Sequence, residues 1–106
     1  METTTISQIR QGDVLLTRVD PPADPQRAMD EAGQPLAGVR IAGERTGHAH
    51  ELAGRVYDHG DRRLVMLERP TPIRHPEHRQ IEVPAGWWEV TIQREWTPER
   101  PVARRD

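Results

Sequence analysis

The chain of 106 residues contains no cysteine, no lysine and no phenylalanine. The absence of cysteine excludes disulfide bonds and thiolate metal ligands within the chain. No apolar run approaches the roughly 20 residues of a membrane-spanning helix, and the first residues lack the apolar segment of a signal peptide. We therefore expect a cytoplasmic protein that does not enter a membrane.

Length and composition predict a single domain that covers residues 1–106. Apolar residues make up 34% of the chain and charged residues 30%, so the hydrophobic core must be thin, and ten prolines and eight glycines disfavour long helices. The net charge of -2 is spread over interleaved signs, so the charge does not indicate a nucleic-acid partner. An unknown small molecule or another protein is the expected partner, and a homodimer would cover exposed strand edges.

Short runs rich in leucine and β-branched residues, separated by turn residues, predict an all-β fold. A first strand is expected at 12–19, and the Pro-rich segment 20–38 is expected to form an extended loop with one helical turn near Gln26 to Glu31. The segment 98–106 is predicted to be a flexible tail. Further strands are predicted within 39–52, on both sides of a hairpin turn at 59–61, and at 80–83 and 87–96. These elements favour a small antiparallel β-barrel or β-sandwich, cupin-like or SH3-like.

The last predicted strand carries two adjacent tryptophans, which must point to opposite faces of a sheet. Trp88 shares its face with Val90 and Ile92, whereas Trp87 points the other way. One tryptophan is expected in the core and the other on the second face. There, closing the end of a barrel is the simpler interpretation, and stacking on a ligand or a partner protein is the alternative.

Four of the five histidines occur as two close pairs. His48 and His50 have the spacing that points two side chains to one face of a strand. His75 and His78 enclose Pro76, which can begin a single helical or 3₁₀ turn that brings both imidazoles to one side. Each pair alone is typical of a polar surface, but together they supply the three or four neutral imidazoles of a metal site with an open position.

The sequence therefore predicts a mononuclear site for Zn²⁺ or Fe²⁺, the ions that suit imidazole without thiolate. Glu51 and Glu77 flank the two pairs and are candidates for a ligand or a general base, although Glu51 should face away from His50 on a regular strand. The metal would activate water for hydrolysis or bind a small substrate for oxidation. His59, in the hairpin turn, is interpreted as a solvated residue.

Two other functions use the same residues without a catalytic metal. Histidine pairs beside Arg45, Arg74 or Arg79 can cleave phosphodiesters by acid–base catalysis, since imidazole titrates near neutral pH and arginine binds phosphate. Alternatively, the histidines form a structural clip or a protein-binding surface of a non-catalytic assembly or regulatory module, with an exposed tryptophan as its main contact.

Part of the sequence resembles the cupin metal pattern, over about forty residues. His48 and His50 match the H-x-H of that pattern, and Pro84 and Gly86 match its later P-x-G turn. The chain lacks the glutamate expected after the H-x-H, and Glu89 stands where the third histidine should fall. The resemblance implies a small β-barrel with an internal metal ion.

A broader resemblance covers nearly the whole chain. The blocks QGDVLL, TGHAHEL, HPEHRQIEVPAGWWEV and QREWTP resemble those of a family of small uncharacterised proteins from bacteria and their phages. The resemblance implies a common fold without a reaction, and implies that Gln93, Arg94 and Glu95 matter as a block. Arg94 is a candidate catalytic residue, but an ion pair with Asp13 or Glu95 is the simpler interpretation because a buried charge is costly when unpaired.

Overall fold

Antiparallel β-strands build the part of the chain that the structure describes. The computed structural model describes residues 7–42 and 49–92, and no helix occurs among them. The strands are β1 (Gln8–Gln11), β2 (Val14–Val19), β3 (Gln26–Arg27), β4 (Gly38–Ala42), β5 (Ala49–Ala53), β6 (Arg55–His59), β7 (Arg62–Leu67), β8 (Thr71–His75), β9 (His78–Val83) and β10 (Gly86–Ile92). The predicted all-β class is confirmed.

The strands form two sheets in a sandwich-like arrangement that does not close into a barrel. The larger sheet has the order β1-β2-β10-β7-β6-β3, and the smaller sheet has the order β4-β5-β8-β9. Strand β10 is central, because it pairs with β2 on one side and β7 on the other. Of the two architectures expected from the sequence, the sandwich describes the molecule.

The core lies between the sheets and takes apolar side chains from both. Trp88 on β10 is fully buried, and its indole N–H donates a hydrogen bond to the Pro84 carbonyl oxygen at 2.8 Å. Trp87 points to the other face, where its ring lies 4.9 Å from that of Tyr57. The predicted division of the two tryptophans between core and second face is confirmed. The other buried residues of the cluster around Trp88 are Ile9, Val14, Leu16, Leu52, Val65, Leu67, Ile73 and Val83.

Two tight hairpins of the larger sheet turn on the same dipeptide. Gly60 and Asp61 join β6 to β7, as predicted, and Gly12 and Asp13 join β1 to β2. The two glycines have φ angles of 68° and 61°, as the first position of a type II′ turn requires. The strand expected at 12–19 is β2, the second strand, because β1 precedes it. It begins at Val14, because Gly12 and Asp13 form the turn.

The Pro-rich segment 20–38 contains short β structure in place of the expected helical turn. Strand β3 pairs with β6, and Met29 forms an isolated bridge with Pro35. The amide N–H of Ala28 donates to the Val56 carbonyl oxygen at 2.9 Å. Ala28 is 1% exposed, so pairing with the sheet edge buries this one residue of the segment.

Several predictions fall on residues outside the two described ranges. These are His48, Arg45, the block around Arg94, and the flexible tail. Within residues 7–42 and 49–92, no helix is long and apolar enough to cross a membrane.

Candidate metal centre

Three separate segments meet at the candidate site. Strand β5 carries His50, and the hairpin formed by β8 and β9 carries His75 and His78. The turn between β1 and β2 approaches from the larger sheet and brings Gln11 and Asp13 to the same place. All three histidines therefore belong to the smaller sheet, and the two residues that approach them belong to the larger one.

His50 points into the molecule. From His50 onward the residues of β5 alternate, so that His50 and Leu52 are buried while Glu51 and Ala53 are exposed. The His50 residue is only 3% exposed. A polar ring is rarely placed in such a position without specific partners, since burial removes its hydrogen bonds to water.

His75 and His78 flank the two-residue turn of the β8–β9 hairpin and are register partners. The structure thus replaces the expected helical turn at Pro76 with a β-turn, and both arrangements place the two imidazoles on one side. A bulge follows, because Ile73 pairs with Ile81 and the register then shifts by one residue.

The three imidazole rings form one cluster. The ring centroids lie 4.3 Å apart for His50 and His75, 4.5 Å for His75 and His78, and 5.7 Å for His50 and His78. One ring nitrogen of each histidine lies within 4.8 Å of those of the other two. Two nitrogens on one tetrahedral zinc ion are about 3.3 Å apart, since each Zn–N bond is about 2.0–2.1 Å. The three histidines can therefore hold a metal ion after a small inward rotation of the rings.

Gln11 fixes the orientation of His50. Its side-chain Nε2 donates to the carbonyl oxygens of Ile73 at 3.0 Å and Arg79 at 2.8 Å. The Gln11 Oε1 lies 2.9 Å from Nδ1 of His50. With both amide hydrogens donated to carbonyl oxygens, Oε1 is an acceptor, and Nδ1 of His50 must carry the hydrogen. A partner of this kind commonly orients metal-binding histidines and leaves the other nitrogen for the ion.

The environment of His50 favours its neutral form. Burial lowers the pKa of His50 below its ordinary value, and the nearby His75 lowers it further. The Asp13 carboxylate opposes both effects, because its Oδ1 lies 3.2 Å from Nε2 of His50. Metal binding requires a neutral imidazole, so the net lowering of the pKa suits a ligand.

His75 makes a hydrogen bond that a metal ion would change. The backbone N–H of Glu77 donates to Nδ1 of His75 at 3.0 Å. A neutral His75 in this arrangement carries its proton on Nε2. Binding an ion through Nε2 would move that proton to Nδ1 and break the bond to Glu77. His50 therefore already has the tautomer of a metal ligand, whereas His75 must change its tautomer to bind an ion through Nε2.

Gly12 leaves the space in which the rings lie. A Cβ atom at this position would stand 2.8 Å from Nε2 of His78 and 3.1 Å from Cε1 of His50. At Gly60, the equivalent residue of the other Gly-Asp turn, a Cβ atom would meet nothing within 4 Å. Only glycine fits beside the two rings.

Replacing Gly12 with alanine is expected to weaken metal binding by about 10-fold or more, because the new methyl group displaces two candidate ligands. Gly60→Ala imposes similar backbone strain at a similar φ angle but leaves the histidines untouched. Isothermal titration with Zn²⁺, beside thermal unfolding of both variants, separates the two effects. Equal affinity of the two variants for zinc would contradict the expectation.

An open groove borders the cluster on the outer side. It has a volume of about 410 Å³ and is lined by His75, Arg40, Arg74 and Glu51 among others. Arg40 and Glu51 form an exposed ion pair at 3.4 Å. On the core side, a cavity of about 10 Å³ below His50 has room for at most one water molecule. A small molecule in the groove would therefore contact the cluster at His75.

The structure gives the predicted site residues different places. His50, His75 and His78 come together, whereas Glu51 points away from His50 into the groove. Glu77 lies in the β8–β9 turn and contacts His75 through its backbone. His48 and Arg94 lie outside the described ranges, so their roles as ligand and catalytic residue stay predictions.

Sequence reasoning missed Gln11 and did not place Asp13 at the histidines. The burial pattern of β1 alternates, with Ile9 and Gln11 inside and Gln8 and Arg10 outside. A glutamine at an inward position of a strand is the signal that could have identified it, because a buried amide needs polar partners.

Fold and site together define a small all-β sandwich with a histidine cluster where its two sheets meet, in which His50 is buried and His78 is exposed. The chain belongs to the family DUF8820, a domain of unknown function, whose model matches residues 10–93. Comparison with curated proteins and with solved structures finds no match. Membership of an uncharacterised family agrees with the broad resemblance seen in the sequence, while the individual blocks and the cupin resemblance stay predictions.

Proposed function

We propose that this domain binds one divalent transition-metal ion, Zn²⁺ or Fe²⁺, through His50, His75 and His78, and that it uses the ion to act on a small substrate. The observation that carries the proposal is the convergence of three ring nitrogens within 4.8 Å around a buried histidine of fixed orientation. Imidazole suits both ions, and three protein ligands leave a coordination position open.

The groove beside His75 supports a substrate of negative charge. Arg40 and Arg74 lie on it, and a guanidinium binds carboxylate or phosphate with two parallel hydrogen bonds. Glu51, also on the groove, is the carboxylate best placed to accept a proton there. A metal ion at the cluster would polarise an oxygen of the substrate or lower the pKa of a bound water, which supports hydrolysis. Oxidation by dioxygen is the alternative reaction for an iron-loaded site.

The direct test is the metal content of untagged protein, measured by elemental analysis after loading with Zn²⁺ or Fe²⁺ and desalting. We expect about one equivalent per chain in the wild type and at least about 100-fold weaker binding in His50→Ala and His78→Ala, because each loses a ligand. His59→Ala is the matched control, since His59 ends β6 in the larger sheet and is not part of the three-histidine cluster. A wild type without stoichiometric metal, or variants that retain it, would overturn the proposal.

Two other functions predict different results when the metal ion is removed with a chelator. A non-catalytic assembly module would bind metal as a structural clip, and chelation would then unfold the chain without affecting any turnover. The partly buried Trp87, packed on Tyr57, would be its contact residue. A metal-independent ribonuclease would cleave RNA after chelation and lose this activity in His50→Ala.

A further inference from the structure

The carboxylate of Asp13 contacts His50, one of the three candidate imidazole ligands, at 3.2 Å. We propose that Asp13 is a further ligand of the same metal ion, so that the site combines three imidazoles from the smaller sheet with one carboxylate from the larger sheet. This inference rests on the proposed metal site and extends it.

The first step concerns the lone pair of His50. The amide group of Gln11 cannot be reversed, because its nitrogen donates to two backbone carbonyl oxygens and an oxygen there would repel them. Its Oε1 therefore accepts the hydrogen of His50 Nδ1. In the neutral ring, the lone pair is then on Nε2.

The second step concerns what faces that lone pair. Nε2 of His50 lies 3.2 Å from Oδ1 of Asp13. An ionised carboxylate only accepts hydrogen bonds, so two lone pairs face each other across this gap. A cation between them turns the repulsion into attraction. The 3.2 Å separation also matches the about 3.3 Å between two atoms bound to one tetrahedral ion with bonds of about 2.0–2.1 Å.

The third step concerns the rigidity of Asp13. It is the second residue of the two-residue turn between β1 and β2, and both neighbouring strands are paired in register. Gly12, directly before it, packs against His50 and His78. The backbone of the turn is thus held at the cluster, while the Asp13 side chain is 36% exposed and keeps one edge in contact with water.

A carboxylate ligand changes the metal that the site prefers. Carboxylate oxygen suits Mn²⁺, and imidazole suits Fe²⁺ and Zn²⁺, so a mixed set of nitrogen and oxygen ligands favours Fe²⁺ or Mn²⁺ more than three imidazoles alone do. The carboxylate also neutralises one positive charge of the ion, which lowers the cost of placing it beside the core.

The test compares Asp13→Asn with Asp61→Asn. Asp61 occupies the equivalent position of the second Gly-Asp turn, between β6 and β7, and β10 separates β7 from β2 in the larger sheet. Co²⁺ is the probe, because its visible absorption reports coordination and its binding can be titrated. We expect Asp13→Asn to bind Co²⁺ at least about 100-fold more weakly than the wild type and with a changed absorption spectrum, since a ligand has lost its charge. Asp61→Asn should match the wild type in both measurements.

The outcomes separate this inference from the proposed function. If Asp13→Asn and Asp13→Ala bind Co²⁺ with wild-type affinity and spectrum while His50→Ala does not bind, Asp13 is not a ligand and the histidine site stands. Asp13 would then be an ion-pair partner of a protonated His50. If the wild type binds no Co²⁺, or His50→Ala binds it unchanged, both proposals fail. Asp13→Asn has nearly the same shape as the wild type, so the test does not depend on the alanine variant folding.

Discussion

Replacing Trp88 with alanine is expected to lower the free energy of unfolding by about 3–5 kcal/mol. Trp88 is fully buried on the central strand of the larger sheet. Its removal would leave a cavity between the sheets and would also leave the Pro84 carbonyl oxygen without its indole donor. The Arg18 guanidinium, which lies 4.5 Å from the Trp88 ring, would lose its aromatic contact as well. Urea denaturation followed by circular dichroism measures the loss.

Trp87→Ala is the control for this variant. It removes the same side chain one residue earlier, on the other face of β10, where Trp87 is partly exposed and packs on Tyr57. A smaller loss of stability is expected, because less apolar surface leaves a buried environment. Equal losses for the two variants would contradict the placement of the core between the sheets.

Replacing Gln11 with leucine is expected to lower the free energy of unfolding by about 3 kcal/mol, because two buried polar groups and one partly buried group each lose a partner at about 1–3 kcal/mol. These groups are the carbonyl oxygens of Ile73 and Arg79 and the Nδ1–H of His50. Affinity for the metal ion should also fall by about 10–100-fold, since the His50 ring is no longer held in one orientation. Thermal unfolding with and without Zn²⁺ measures both effects.

Two further variants show which part of the glutamine matters. Gln8→Leu makes the same change at the exposed start of β1 and should leave stability and zinc affinity nearly unchanged. Gln11→Glu keeps an acceptor for His50 but offers no donor to the two carbonyl oxygens, so it should also be destabilised. A stable Gln11→Leu variant with normal zinc affinity would show that Gln11 neither stabilises the fold nor orients His50 for binding.

The sequence predicted the histidines of the site, but it did not predict that Gln11 and Asp13 contact His50. His50 and the pair His75 and His78 are recognisable because their short spacings bring side chains to one side of a strand or a turn. For the second pair, a β-turn and a helical turn give the same result, so the prediction did not depend on the kind of turn. Gln11 and Asp13 approach from a hairpin 37 or more residues away along the chain from His50. Only the packing of the two sheets brings them there.

The fold shows the same limit of local patterns. The all-β class followed from turn residues and short apolar runs, but β1 has Ile9 as its single apolar residue and gave little signal. Strand β3 is two residues long and lies among prolines, so its pairing with β6 could not be read from its own composition. Both strands form because a neighbouring strand offers hydrogen bonds and a buried face.

The hydrogen bonds of Gln11 have a consequence for motion. Gln11 lies on β1 of the larger sheet. The three groups that it contacts lie on β5, β8 and β9 of the smaller sheet. The Gln11 side chain therefore links the two sheets by hydrogen bonds at the edge where they meet. Any fluctuation that separates the two sheets at this edge moves Gln11 and Asp13 away from the three imidazoles. An ion held by Asp13 together with the three imidazoles would connect the two sheets at this edge and would oppose their separation.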